Sequence, residues 1–367
     1  MGLHSERYLE MVERMGGVNE EALGSMVYWN NPLALKHWTM NVAELLYISG
    51  AILAVMHAMK HLRKNGDGRY LAFLFSMIVY CFVIEVPVYF PHWLGLPPDV
   101  IFIHNEFSLG FVFNQTPLYI VCLYPALLYS TYVFVDRLGV FKRYPVVVGA
   151  ICVGFIHSCL YEIFDHFGPQ YNWWIWDYNN PVNALLVNSV PLFSIANFSL
   201  VPPIAMTLLA HALFFKHQKN ASLPNSKLLA RSIALGVLTP AVMFVIAPTT
   251  IASFITSNAT VLTTVGWLTM VAAALVTVIA LIGARNHDAL AAESNSLSWD
   301  NYPFAYFLFY LVVFALLWLF ALGDYFAAEN GITEFNTYIG SLPYVIACFA
   351  FCIFFLYQMR GAQRINP

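Results

Sequence analysis

Charge is what this sequence has least of. Its 367 residues include only 10% Asp, Glu, Lys and Arg, against roughly 25% in an average soluble domain. Seventeen basic and twenty acidic side chains cannot cover the surface of a soluble fold this large, so soluble globular and disordered classes are excluded. A net charge of −3 also removes the electrostatic basis for a nucleic-acid partner. Cysteine is scarce. All six residues (Cys81, Cys122, Cys152, Cys159, Cys348 and Cys352) lie inside apolar runs, where the thiol behaves as a small hydrophobe. No disulfide framework follows, and Cys348 and Cys352 read as packing residues. Residues 1–30 lack the apolar core of a signal peptide. The start MGLHSE places its hydroxyl residue one position early for myristoylation. Ser5 to Met15 instead has the pattern of a short amphipathic helix lying on a membrane surface. There is no phosphate-binding loop, no dinucleotide fingerprint and no nucleophile elbow.

What is present is apolar length. Hydrophobic residues make up 60% of the chain, and mean hydropathy is +0.66. A bilayer core needs roughly 20 apolar residues per helix, which predicts an all-α polytopic transmembrane helix bundle. About nine spans emerge, near 38–60, 70–92, 117–136, 145–167, 184–213, 229–254, 260–284, 303–326 and 337–359. Pro191, Pro202, Pro203, Pro240 and Pro248 predict kinks or tilt in the fifth and sixth. Basic residues set orientation. Clusters such as Lys60–Arg69, Arg137–Arg143 and Lys216, Lys219, Lys227, Arg231 follow alternate spans, so that only Arg7, Arg14 and Lys36 fall on the opposite side. The expectation is an N-terminus outside, a C-terminus in the cytoplasm and a multi-pass protein of the cell membrane or an endomembrane. Three regions follow: an extracytoplasmic segment 1–36, a five-helix half 37–215 carrying the polar residues, and a four-helix scaffold half 216–367. The last four helices carry no ionisable interior group, which makes them scaffold, gate or the face of a homo-oligomer.

Ionisable residues inside spans are costly and mark function. Glu44, Glu85 and Glu162 fall in the first, second and fourth spans. At 1.5 Å per residue each lies roughly 8–10 Å below the outer end of its helix, which predicts one site at one depth. On the fourth span Glu162 and His166 share a face, as do Tyr161 and His157. Asn188, Ser194 and Asn197 descend the fifth from the same side. The outer segment after the second span, with His92, His104, Asn105 and Glu106, reads as a short helix on or in the membrane. The segment after the fourth, with Trp173, Trp174, Trp176 and Asp177, reads as an interfacial aromatic belt that can also line a site. Asp165 and His166 read as solvated near the interface. His57, His61, His211 and His217, beside lysines and arginines, read as interfacial.

Paired buried carboxyl groups suit acid–base chemistry on a lipophilic substrate, and aromatic faces stabilise cations. Glu162 is then the general acid or base, Glu85 its partner, and His157 and Glu44 supporting groups. Trp173, Trp174, Trp176, Tyr161, Asn197, Glu106 and His104 are the substrate-binding set. Glu162 and Asp165 run into Trp173, Trp174 and Trp176, followed by Val190–Pro191 and Asn197–Phe198. Upstream stand Asn105–Glu106 and then Gly110–Phe111. Over about residues 85–200 this resembles the integral membrane carotenoid-biosynthesis proteins, which include hydratases and cyclases. The resemblance implies hydration or cyclisation of an isoprenoid; the buried acids and aromatic rings fit these and double-bond isomerisation as well, and no cofactor is expected. This sequence departs by a wider Pro-to-Asn spacing, added histidines and extra C-terminal helices. Two other readings stand beside it. One is a metal-dependent membrane enzyme using His92, His104, His157, His166 and Glu162. The other is a lipid-binding, receptor or proton-coupled transport protein, although acids at one level fit a one-sided pocket better than a conduit.

Overall fold

The computed structural model describes residues 3–95, 100–216, 223–285, 298–334 and 336–364; His217 and Lys219 lie outside them. Among the described residues nine helices are long and apolar enough to cross a membrane. They are Trp38–Asn65, Arg69–Tyr89, Leu118–Arg137, Val146–Tyr171, Ser194–Phe215, Asn225–Ile246, Ala259–Ala284, Tyr302–Ala327 and Leu342–Met359, here the first to ninth spans. The third and fourth form the centre. The outer faces of the sixth to ninth expose side chains such as Val245, Leu275, Leu316 and Ile353. Water does not tolerate an apolar surface of that extent, whereas lipid does. The protein is a multi-pass membrane protein.

The two largest differences from the predicted span ends have local reasons. The fifth begins at Ser194 because the preceding residues form a hairpin of β6 (Leu186–Val187) and β7 (Val190–Pro191). Asn188 at its turn has φ +56°, a conformation that Asn adopts more readily than most residues. The sixth ends at Ile246, and Pro248 starts a separate helix, Pro248–Ile255. Proline lacks the N–H that a continuing helix needs but suits a first helical turn. Wide π-helical turns appear at Tyr124–Tyr129 in the third span, where no kink was expected, and at Ser194–Ser199 at the start of the fifth.

The end away from the basic clusters carries a layer of short strands where a membrane-lying helix was expected. β1 (Val27–Trp29), β3 (Leu109–Phe111) and β4 (Thr116–Pro117) form one sheet. β2 (Phe102–His104) pairs antiparallel with β5 (Trp174–Trp176), tying the two outer segments together. The N-terminal helix α1 (Glu6–Arg14) does form, yet it lies on protein. Tyr8, Met11 and Val12 are buried in one cluster with Val100, Ile103 and Ile175. Arg7 clamps Asp177 through Nε at 2.8 Å and through a second guanidinium nitrogen at 2.6 Å. The apolar face that predicted membrane binding is therefore covered by the strand layer.

The four-helix half is bonded into the five-helix half. Tyr310 of the eighth span donates to the Leu160 carbonyl at 2.8 Å, and Trp318 Nε1 to the Ile163 carbonyl at 3.1 Å. Both carbonyls belong to the fourth span. Arg7→Ala leaves buried Asp177 without its bidentate partner, a loss of about 1–3 kcal/mol. Hydrogen exchange is expected to show faster amide exchange across α1 with the spans unchanged; unaltered α1 protection would show that the clamp does not hold it.

Candidate functional site

The pairing of β2 with β5 builds the roof of a pocket. Successive strand side chains point to opposite faces, so Phe-Ile-His and Trp-Ile-Trp each divide in two. Ile103 and Ile175, cross-strand partners, face α1. Phe102, His104, Trp174 and Trp176 face the other way and line a pocket of about 670 Å³, its open mouth included. The walls come from the second span (Ile84, Glu85, Val88), the third (Ile120), the fourth (Tyr161, Phe164, Asp165), the fifth with its approach (Phe193, Ser194, Phe198) and the sixth (Met243, Phe244). This is an apolar chamber with a few convergent polar groups, the usual form of a small-molecule site. Phe244 at the rim is 45% exposed, on the same helix that turns Val237, Leu238 and Val245 outward. The pocket wall therefore reaches the apolar surface of the bundle at Phe244.

Two carboxyl groups enter this chamber. Glu85, 2% exposed, accepts from Tyr124 on one oxygen and from Tyr89 on the other, both at 2.7 Å. Asp165, 1% exposed, accepts from Ser194 Oγ at 2.8 Å. Asp165 is thus buried in the pocket wall, where the sequence predicted a solvated residue. Each tyrosine hydroxyl uses one lone pair of its Glu85 oxygen, so both oxygens keep acceptor capacity for a ligand. His104 bonds the Tyr119 hydroxyl through Nδ1 at 3.1 Å. Among the described residues its Nε2, like Nε1 of Trp176, is buried without a hydrogen-bond partner. Such groups are costly inside a protein and are satisfied when a ligand supplies the complement.

The remaining predicted residues sit elsewhere. Glu44 accepts from the Ser108 backbone N–H at 3.0 Å, anchoring the loop that carries β3. Glu162 is fully buried and faces His166 Nε2 at 3.6 Å. His166 in turn accepts from the Ser341 N–H at 3.1 Å, so this pair looks toward the ninth span and His166 is not solvated. His157 donates from Nδ1 to the Ser199 carbonyl at 2.8 Å and stacks on Tyr161, one ring behind the pocket wall. Trp173 is buried, its Nε1 donating to Thr39 Oγ1 at 3.0 Å. Asn197 bonds Thr249 and Thr250, pinning the helix that follows the sixth span. Glu106 accepts from the Asn19 N–H at 2.8 Å in the N-terminal segment. His92 lies near the Leu3 carbonyl. Of the proposed metal set, only Glu162 and His166 approach each other. Trp173, Trp174 and Trp176 are at most 5% exposed, so their aromatic surface is spent inside the protein and not on a headgroup belt.

Of the residues named from the sequence, Glu85, His104, Tyr161, Trp174 and Trp176 line the pocket, whereas Asp165 and not Glu162 does so on the fourth span. Helical spacing contains the signal. Tyr161 and Asp165 are four apart on one face, while Glu162 and His166 are four apart on the next. Sequence reasoning also passed over His57 and His61, four apart on the first span. His57 is 1% exposed, buried against protein at its end of the bundle.

A family model described as a domain of unknown function (DUF7802) matches residues 29–331. The chain belongs to that family. No curated protein and no solved structure matches it.

Burial holds the His104 imidazole down to about 3 from its ordinary 6.5. Between those values the unfolded chain binds a proton that the folded His104 does not. Its contribution to stability is complete above about pH 6.5 and falls as the pH drops toward about 3, by up to about 1.4 kcal/mol per unit. Thermal melts in detergent from about pH 7 to about pH 4 are expected to decline more steeply for wild type than for His104→Gln. Parallel slopes would contradict a neutral buried His104.

Proposed function

We propose that this member of the DUF7802 family takes a lipophilic molecule of the isoprenoid kind from the lipid phase into the lateral pocket and transforms it by acid–base chemistry. The observation that carries the reading is the meeting of Glu85, Asp165 and His104 in one apolar chamber, and the exposure of its lining residue Phe244 supports entry from the lipid phase. A chain of isoprene units would lie against Phe102, Phe164, Phe193 and Phe198, where apolar burial supplies about 25 cal/mol per Å². Its polar end would meet His104 Nε2 and Trp176 Nε1.

The two carboxyl groups have different surroundings and therefore different roles. Asp165, held by one serine hydroxyl, is the proton donor. Glu85, fixed as an acceptor by two tyrosines, takes a proton. Asp165 protonates a carbon–carbon double bond, and the resulting carbocation faces the rings of Trp174, Trp176 and Phe164. Glu85 then removes a proton from the adjacent carbon. The double bond has moved, or a ring has closed, with no net change in protons or electrons. Addition of water to the same cation would give hydration.

Mass spectrometry of lipids recovered with the purified full chain, followed by incubation with the recovered class, tests this. Wild type is expected to convert the lipid. Glu85→Gln and Asp165→Asn are expected to retain it and to lose about 10²- to 10⁴-fold in turnover, the usual weight of a general acid or base. Glu162→Gln, outside the pocket, is expected to stay within a few fold of wild type. Recovery of the lipid unchanged by wild type would overturn catalysis in favour of binding. Equal loss in Glu162→Gln would overturn the assignment of the pocket.

A further inference from the structure

At the opposite end of the bundle, among the basic clusters, three metal-binding side chains meet. His57 and His61 are four apart on the first span in the run His-Ala-Met-Lys-His, so both rings project from one face. The short turn Ser298–Asn301 that opens the eighth span brings Asp300 to them. Its Oδ1 lies 3.5 Å from His57 Nε2 and 3.6 Å from His61 Nε2. One donor atom from each residue falls within 4.8 Å of the other two. We propose that His57, His61 and Asp300 bind a divalent transition-metal ion of the zinc class.

The spacing supports a shared ion over direct bonding. Separations of 3.5 and 3.6 Å are long for an N–H···O hydrogen bond, which peaks near about 2.9–3.0 Å. They match the edge of a tetrahedron whose metal bonds are about 2.0–2.1 Å, roughly 3.4 Å. Two imidazoles and one carboxylate form a donor set for zinc and similar first-row ions. The surroundings orient the rings as metal sites require. His57 Nδ1 bonds the Tyr129 hydroxyl at 2.8 Å. Donated from Nδ1–H, that bond leaves the Nε2 lone pair directed at Asp300, the outer hydrogen bond expected of a metal-bound histidine. Tyr70 lies over His61 with ring centroids 4.1 Å apart, and Tyr302 packs on His57 at 5.3 Å. Asn301, next to Asp300, is held by Arg137 Nε at 3.0 Å. His57 is buried, while the side chains of His61 and Asp300 are 18% and 21% exposed. An ion could therefore reach the site from water. Three protein ligands leave a position for water or a substrate group, as in catalytic zinc sites.

This site is separate from the lateral pocket. Thirteen residues of helix divide Glu44, which anchors the strand layer, from His57, or about 20 Å at 1.5 Å per residue. Metal content and pocket chemistry can thus fail independently.

The test uses the purified full chain in detergent, stripped with a chelator and titrated with Co²⁺ as a spectroscopic probe, then with Zn²⁺ in competition. The expected result is one Co²⁺ per chain with the visible absorption of a tetrahedral site, displaced by Zn²⁺. His61→Gln and Asp300→Asn are the main variants because they are less buried than His57. Each is expected to lose Co²⁺ affinity by more than the roughly 10- to 100-fold expected of Tyr129→Phe, which removes only the outer hydrogen bond. Glu85→Gln is expected to bind Co²⁺ as wild type does. Size-exclusion profiles and thermal melts report which variants remain folded. A folded wild type that takes up no Co²⁺ or Zn²⁺ would overturn the proposal, as would unchanged affinity in both His61→Gln and Asp300→Asn.

Discussion

An ionisable side chain inside hydrocarbon has no water to solvate it. Placing one at the centre of a spanning helix costs about 2.5–3.5 kcal/mol even on the most lenient scale. The bundle answers that constraint residue by residue, and the answers shape the molecule. Glu44 takes a backbone N–H from the strand layer. Glu85 takes two tyrosine hydroxyls from different spans. Asp165 accepts from a serine hydroxyl of the fifth span, and His157 donates a hydrogen bond to a carbonyl in that span's wide turn. Apart from the Tyr89–Glu85 bond, which lies within the second span, each bond joins an element to its neighbour, so the polar groups act as register marks in a core that apolar packing alone would leave degenerate.

The strand layer extends the same logic outward. Segments between spans must satisfy their backbone groups, and pairing β2 with β5 does so while sorting side chains onto two faces. One face receives α1 and the other closes the pocket. A single alternation, Phe-Ile-His against Trp-Ile-Trp, thus serves as both the seat of the N-terminal helix and the roof of the chamber. The Arg7–Asp177 clamp lies at the edge of this layer, one residue beyond Trp176.

How much of this was legible follows from length scale. Spans of about twenty apolar residues announce themselves, and all nine were found near their positions, with the largest errors where a hairpin or a proline reset the boundary. Strands of two or three residues are too short to show a period, so the outer segments read as a helix and an aromatic belt. Depth could place Glu162 within a turn but could not choose between it and Asp165, because neighbouring helix faces differ by a rotation that only tertiary packing fixes. The metal cluster needed both. The histidine pair is visible in sequence, but the basic residues around it gave a plain interfacial explanation, and Asp300 comes from the far end of the chain. The family match extends across the pocket and the cluster alike.

The central claim is that the chamber between Glu85 and Asp165 opens to lipid and holds a lipophilic molecule. A cryo-electron microscopy map of the protein extracted directly into native-lipid nanodiscs addresses it most directly. The account predicts elongated non-protein density running from His104 and Trp176, between the two carboxyl groups, and out past Phe244 into the hydrocarbon. A chamber sealed from the lipid at Phe244, or one holding ordered water alone, would contradict it.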